Sequence, residues 1–539
     1  MRPFVPQRNK REILQSLIVS LRNEASHSFN DTQPSSNFTI LLPSPQIAIT
    51  MSTHIHVSSE VGTLKRMIIH SPDAGIGKIA PRMQEDLLYD DIVFLETMRK
   101  EYSEYLRVLL WFLDPDKMKN HADNEPDFFK PSKPGYFSSD KVMDAEHLLM
   151  KILESDEVKK LVVASICSLE KCDFKTQARL VRMEPGVLAR TLITGCIEGN
   201  EDEYLFPPIP NLIFTRDIGI VVNDHLILIK PAEKGRAREA QLIKYIAYFG
   251  LFGQDANLDE FEFTDKIIEL NNNEYYFLTD SLGQEEQKVS IEGGDVMMIS
   301  PRHLVVGLSA RTTQNAIDQL IDELFSRNIV DNVSVVNIPD ERAYMHIDTI
   351  FTMVKRDLWV LYAPFCKAAI TEENGQFDFR RVLNPEKKTA EEKVYAMQFT
   401  RKAKGKNFTV SHQKFDFLED LLIDISMNDF GCDKAEVMPN AGGKFPHTER
   451  EQWTDACNFL AIKEGVIIGY DRNVETTKSL KKKGFKVIKA EDFNQQMADG
   501  ASTKDLVKGD TLILLPSAEL SRARGGTHCM SMPLLREEI

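Results

Sequence analysis

Cys529 stands in Arg522-Ala-Arg-Gly-Gly-Thr-His-Cys-Met-Ser-Met-Pro533, one thiol among two glycines, two arginines and a histidine. The thiolate is the reactive form of cysteine, and nearby positive charge favours it. Arg522, Arg524 and His528 could supply that charge. The two glycines allow close approach of backbone to a ligand. Three more polar groups recur along the chain, each just ahead of a pair of apolar runs: Asn211-Leu-Ile-Phe-Thr-Arg-Asp217, Glu292-Gly-Gly-Asp295 and His346-Ile-Asp348. Each has a plainer reading alone. The cysteine could sit in a basic tail, Asp217 and Glu292 to Asp295 in ordinary turns, and His346 in the core as a satisfied histidine. Their repetition at one point of a recurring unit argues for a shared site. A cysteine with a histidine makes a nucleophile with a proton shuttle. Carboxylates crowded around a thiol suppress its ionisation, so a site this acidic suits a cationic substrate. A planar guanidinium pairs bidentately with carboxylates, and attack of sulfur on its central carbon is a coherent reaction.

The elements that must bring these residues together can be read from periodicity. Ile218–Val222 with Leu226–Ile229, Val296–Ile299 with Leu304–Leu308, Ile350–Val354 with Leu358–Leu361, and Phe459–Ile462 with Val466–Ile468 are apolar runs split by short polar turns. Each pair predicts a β-hairpin. Helical patterns follow two of them, over Glu239–Phe249 and Thr313–Phe325, so a degenerate hairpin–helix repeat emerges. If the modules surround an axis, the polar entrances meet at one end of it. Val61–Ile69 predicts a first strand and Leu512–Leu515 a buried strand leading to the cysteine loop. Leu95, Met98, Tyr102, Leu106, Leu109 and Leu113 recur at helical spacing, the stripe of a core-facing helix. Residues 114–136 read as a loop, and helical pattern resumes near Val142.

The domain expectation is an extension over 1–50 outside the fold, a first module over 51–83, and an α-helical insertion over 84–195. The remaining modules span 196–539, with insertions near 254–290 and 366–430. Composition is that of a globular α/β protein: 42% apolar and 27% charged residues in a chain of 539. A net charge of −15 with no basic stripe argues against nucleic acid. The seven irregularly spaced cysteines predict a reducing, cytoplasmic setting rather than a disulfide framework. No apolar run is long enough to predict a membrane span.

Asn-Leu-x-Phe-Thr-Arg-Asp, Glu-Gly-Gly-Asp, Met-His-x-Asp-Thr, Arg450-Glu-Gln-Trp453 and Arg-x-Arg-Gly-Gly-x-x-Cys-Met-Ser-Met-Pro occur here in this order. From about Val61 to the C-terminus the chain thereby resembles the arginine deiminase family. The resemblance implies a five-module pseudo-symmetric β/α propeller with an inserted helical domain. It also implies hydrolysis of L-arginine to L-citrulline and ammonia through a Cys-amidino intermediate, with water as co-substrate and neither metal nor cofactor. Carried over by position, Cys529 resembles the nucleophile and His346 the general acid–base. Glu292 would assist His346 and the guanidinium, while Asp217 and Asp348 would clamp the guanidinium nitrogens. Asn211, Arg236 and Arg311 fall where the family binds the substrate's α-carboxylate and backbone, and Arg524 resembles the loop arginine beside the nucleophile. Ile218, Lys444 and Thr527 depart from the family pattern. Related readings are an amidinotransferase, an arginine dihydrolase and a non-catalytic arginine-binding regulator. Whether the chain forms a homo-oligomer is left open.

Overall fold

The computed structural model describes residues 54–89, 91–119, 128–197, 200–253, 263–271, 288–367, 394–404 and 407–539. The expected extension over 1–50 and much of the two expected insertions lie outside the described residues. The fold is α/β. All four predicted hairpins are present as antiparallel pairs. They are Gly219–Val222 with His225–Leu228, Val296–Ser300 with His303–Leu308, Phe351–Lys355 with Leu358–Leu361, and Leu460–Lys463 with Val466–Tyr470.

Each hairpin gains a parallel third strand on its second member: Ile267–Ile268, Asn332–Asn337, Glu436–Pro439 and Thr511–Leu515, respectively. The first sheet obeys the same plan using the two ends of the described chain. Leu64–Ile69 pairs antiparallel with Met532–Arg536 and parallel with Val142–Asp144. The segment ahead of Leu64 meets the one ahead of Met532 through side chains, with Glu60 Oε2 3.1 Å from His528 Nε2.

Val142–Asp144 lies where helical pattern was expected to resume; three residues are too few to show a period. Asp144 ends the strand and caps the next helix, Ala145–Ile152, by accepting from Glu146 N at 2.8 Å. Ser155 and Asp173 cap Asp156–Leu169 and Phe174–Val181 in the same way. In the 366–430 stretch, where no repeat was expected, Tyr395–Lys404 and Asn407–Phe415 form a long ribbon. It extends the Asn332–Asn337 sheet through antiparallel pairing.

The predicted stripe forms the helix Leu95–Leu113. Met98, Tyr102, Leu106 and Leu109 are buried on it. They belong to one apolar core with Leu460, Ile468, Ile513, Leu520, Ala523, Cys529 and Met530. That face therefore packs where the nucleophile loop begins and ends. Two polar contacts fix the register. The buried Glu101 carboxylate accepts from Glu519 N at 3.0 Å and Leu520 N at 2.9 Å, and Tyr105 Oη donates to Thr527 O at 3.2 Å. Among the described residues no helix is long and apolar enough to cross a membrane.

At the end of the first strand His70 is buried between two carboxylates, 3.4 Å from Asp144 Oδ1 and 3.2 Å from Asp73 Oδ2. Burial opposes its charge, but the bonds to Asp144 and Asp73 outweigh this and raise its pKa to about 10. A pKa raised in the folded state contributes stability in full below the unfolded value near 6.5, and this is lost as pH rises toward 10. The free energy of unfolding should therefore fall with pH across that window. His70→Gln should fall less steeply, by about one proton, or about 1.4 kcal/mol per pH unit. Urea titrations of both proteins at several pH values check this, and equal slopes contradict it.

Candidate active site

The polar entrances converge. Thr215–Ile218, Gly293–Asp295 and Ile347–Thr349 each form a 3-10 turn running into a strand, which sets Asp217, Glu292 and His346 beside one another. His346 Nε2 lies 2.9 Å from Glu292 Oε2, and its Nδ1 lies 3.6 Å from Asp217 Oδ1. Gly294 makes this approach feasible: a Cβ there would meet His346 Nδ1 at 2.6 Å and Asp217 Oδ1 at 2.8 Å. Burial disfavours the imidazolium. Asp217, the Glu292 bond and Asp295 overcome that and raise the His346 pKa to about 10. Glu292 is the complement: its burial is outweighed by His346 and Arg236, and its pKa falls to about 2. At neutral pH the pair is imidazolium and carboxylate.

Cys529 is buried opposite. Its thiol donates to Asp348 Oδ2 at 3.3 Å. Burial, then the charges of Asp348, Asp217 and Asp455, push the thiol pKa well above its ordinary value. This is the suppressed thiol expected of a cysteine among carboxylates. Asp348 is held ionised despite its burial, chiefly by the bond to His528, whose Nδ1 lies 3.0 Å from Oδ2. The other nitrogen of His528 lies 3.1 Å from Glu60 Oε2, and Glu60 is also paired with Arg216. The Arg216 backbone N–H donates in turn to Cys529 O at 2.9 Å.

Asn458 was not foreseen, and it touches the nucleophile twice. Its Nδ2 donates to Sγ at 3.2 Å, and its Oδ1 accepts from Cys529 N at 3.0 Å. Gly526 permits this, since a Cβ there would lie 2.5 Å from Asn458 Oδ1. Glu60 was missed as well. Both precede strands of the repeated plan, Leu64–Ile69 and Leu460–Lys463, so the signal that marked the other three entrances was present at these two.

The remaining predicted residues line the same small cavity, which is also bounded by Leu88, Phe214, Met345, Thr349 and Ala523. Asn211 Nδ2 donates to Leu87 O at 2.6 Å. Arg311 sits at the wall with a buried Nη1 that has no hydrogen-bond partner among the described residues. Arg524 takes the left-handed backbone conformation, φ 62°, which costs roughly 1–2 kcal/mol outside glycine. Its guanidinium stacks 3.4 Å above the Trp453 ring. Arg236 is not at the wall as a free cation. Its Nη1 donates to Asp217 Oδ2 at 2.8 Å and Glu292 Oε2 at 3.3 Å, and its Nε donates to Glu239 Oε2 at 2.9 Å.

Asp217 Oδ1 and Asp348 Oδ1 are buried acceptors without a hydrogen-bond partner among the described residues. Such atoms are costly unless something binds them. Single ligand atoms of Asp217, Glu292 and His346 all lie within 4.8 Å, a set that could hold a divalent ion, although Arg236 already engages the same two carboxylates. The arrangement sets a thiol, a protonated imidazole and carboxylate oxygens without hydrogen-bond partners close together, groups suited to a cationic ligand.

The sequence model of the arginine deiminase family matches residues 195–536. The chain is 27% identical to the arginine deiminase of Bacillus cereus over 500 residues, covering 91% of this chain and 100% of that protein. It is 28% identical to the arginine deiminase of Limosilactobacillus reuteri over 502 residues, with the same coverage. Among solved structures it is similar to SxtG, an amidinotransferase from Microseira wollei. There the TM-score is 0.45 and the identity 11%, over 90% of this chain and 98% of that one. The family match spans every site residue predicted from the sequence, though not Glu60 or Leu88, and the chain belongs to the arginine deiminase family.

Proposed function

We propose that the chain hydrolyses L-arginine to L-citrulline and ammonia. The observation that carries this reading is a single small cavity lined by the buried Cys529, by His346 bonded to Glu292 and by Asp217, with Asp348 Oδ2 3.3 Å from the sulfur. A bound guanidinium would fill the unspent oxygens of Asp217 and Asp348. Its charge would offset the carboxylates that hold the thiol protonated, so the thiol releases its proton to solvent and the thiolate forms when substrate is present; that proton is recovered as the released ammonia becomes ammonium. The sulfur then attacks the guanidinium carbon and a C–S bond forms. His346 gives its proton to one terminal nitrogen, the C–N bond breaks, and ammonia leaves. The remaining Cys529-amidino adduct is attacked by water, which gives a proton to the now neutral His346. Breaking the C–S bond frees citrulline and the thiol. One water is consumed, and Glu292 keeps His346 oriented through both steps.

The five sheets sharing one strand plan support a five-module pseudo-symmetric propeller; because Val142–Asp144 is a strand of the first sheet, the helical insertion expected over 84–195 is interrupted there by the first module. Seven free cysteines support a cytoplasmic setting. Arg311, with its unpartnered nitrogen, and Arg236 are read as the forks for the α-carboxylate, and Asn211 and Arg524 as further substrate contacts.

Charge-assisted bonds are worth about 1.5–3 kcal/mol each. Agmatine, which lacks the carboxylate, should therefore be turned over at least about a hundredfold less efficiently than L-arginine. Arg311→Ala should lower kcat/KM for L-arginine roughly ten- to a hundredfold and leave agmatine nearly unchanged. Measuring kcat/KM for both compounds on both proteins tests the assignment; equal efficiency in the unaltered protein sinks it.

A further inference from the structure

Arg236 is the best-paired cation of the site. It is 4% exposed, although it ends a 3-10 turn, Lys234–Arg236, whose preceding residues are largely exposed. The turn is held from outside: a Cβ on Gly235 would lie 2.4 Å from Asp86 O, so backbone packs on backbone there. From this turn the guanidinium reaches Asp217 and Glu292, while Glu239, fully buried on the following helix Ala237–Tyr245, holds Nε. Thus a guanidinium of the protein itself occupies two of the carboxylates that the proposed function gives to the substrate and its proton shuttle. The pocket that is left measures about 30 Å³, room for a water or two but not for an arginine side chain.

We propose that Arg236 is an internal competitor for the guanidinium subsite and thereby sets which guanidines are accepted. This rests on the arginine deiminase reading. An incoming guanidinium that pairs with the Asp217 carboxylate exchanges one cation for another there, so that exchange alone gains little. The outcome is decided by where the displaced Arg236 goes. A substrate with an α-carboxylate offers it a new bidentate partner. A guanidine without one leaves Arg236 with fewer partners than it had, and a buried charge stripped of partners is disfavoured. Discrimination then comes from two sources: the attraction that a carboxylate adds, and the exclusion of ligands that cannot rehouse Arg236. A simple carboxylate anchor has only the first.

The two accounts differ for methylguanidine, which carries no carboxylate. Its binding, and that of L-arginine, can be measured by calorimetry in a Cys529→Ser background, where turnover does not interfere. Adding Arg236→Met should tighten methylguanidine binding at least about tenfold while loosening L-arginine binding. Arg311→Met removes a positive charge that also acts on Glu292, so it controls for charge alone. It should loosen L-arginine and leave methylguanidine within about twofold. Because Arg236→Met strips Glu239 of its partner, Arg236→Met/Glu239→Gln serves where the first variant does not fold, with the same expectation. Methylguanidine binding that is unchanged or weaker without Arg236 overturns the proposal, as does equal tightening in Arg311→Met. Failure of the Cys529→Ser protein to bind L-arginine would instead reject the functional reading beneath it.

Discussion

Cys529→Ser should lose at least about four orders of magnitude in turnover of L-arginine, on the scale of nucleophile removal in other enzymes that work through covalent intermediates. A hydroxyl ionises far less readily than a thiol. The burial and carboxylates that already push the Cys529 pKa up act on any group placed there. A bound guanidinium can offset that penalty for sulfur but not for oxygen. The substitution is nearly isosteric, and Asn458 can still donate from Nδ2 and accept the backbone N–H of residue 529. The loss should therefore appear in kcat, with the fold and L-arginine binding retained. Rapid-quench turnover, together with calorimetry on the same preparation, separates these effects. Activity within tenfold of the unaltered protein removes Cys529 from the chemistry.

His346→Ala should cost about 10²- to 10⁴-fold in kcat, the usual worth of a positioned acid–base group. Ammonia is a poor leaving group unless its nitrogen is protonated as the C–N bond breaks. With a pKa raised to about 10, His346 carries that proton throughout the neutral range. The sign for pH follows: the donor is present below about 10 and lost above it, so kcat/KM of the unaltered enzyme should fall as pH passes 10. The variant should lack that limb. It also leaves Asp217 and Glu292 with one cation fewer, so guanidinium binding should not weaken. A kcat that barely changes, or a loss confined to KM, contradicts the assignment.

Much of this was legible in the sequence because the elements concerned bury one face. The helix Leu95–Leu113 was marked by its apolar stripe, and the four hairpins by alternating short runs and turns. What escaped notice had no such face. The ribbon Tyr395–Lys404 with Asn407–Phe415 is largely exposed on its second strand, so nothing in its pattern announces a sheet. Ile267–Ile268 and Val142–Asp144 are too short to carry a period. At the site, Cys529, His346, Glu292, Asp217 and Asp348 stood out as chemistry-bearing types at matching points of a repeat, and they do lie together. Glu60 and Asn458 occupy the same point of the first and last units, but their neighbours, Ser-Ser-Glu and Asp-Ala-Cys-Asn, look like ordinary turn sequence. Where Arg236 points could not be read at all. Sequence places it on a turn near Asp217, and only the packing of that turn against Asp86 aims its guanidinium inward.

The most direct test of the central claim is a product balance. The unaltered protein is incubated with L-arginine, and citrulline, ammonia and ornithine are quantified over the course of the reaction. The account predicts citrulline and ammonia in a one-to-one ratio, each matching the arginine consumed, with no ornithine. Ornithine as a product, or L-arginine that binds and is recovered unchanged, contradicts it.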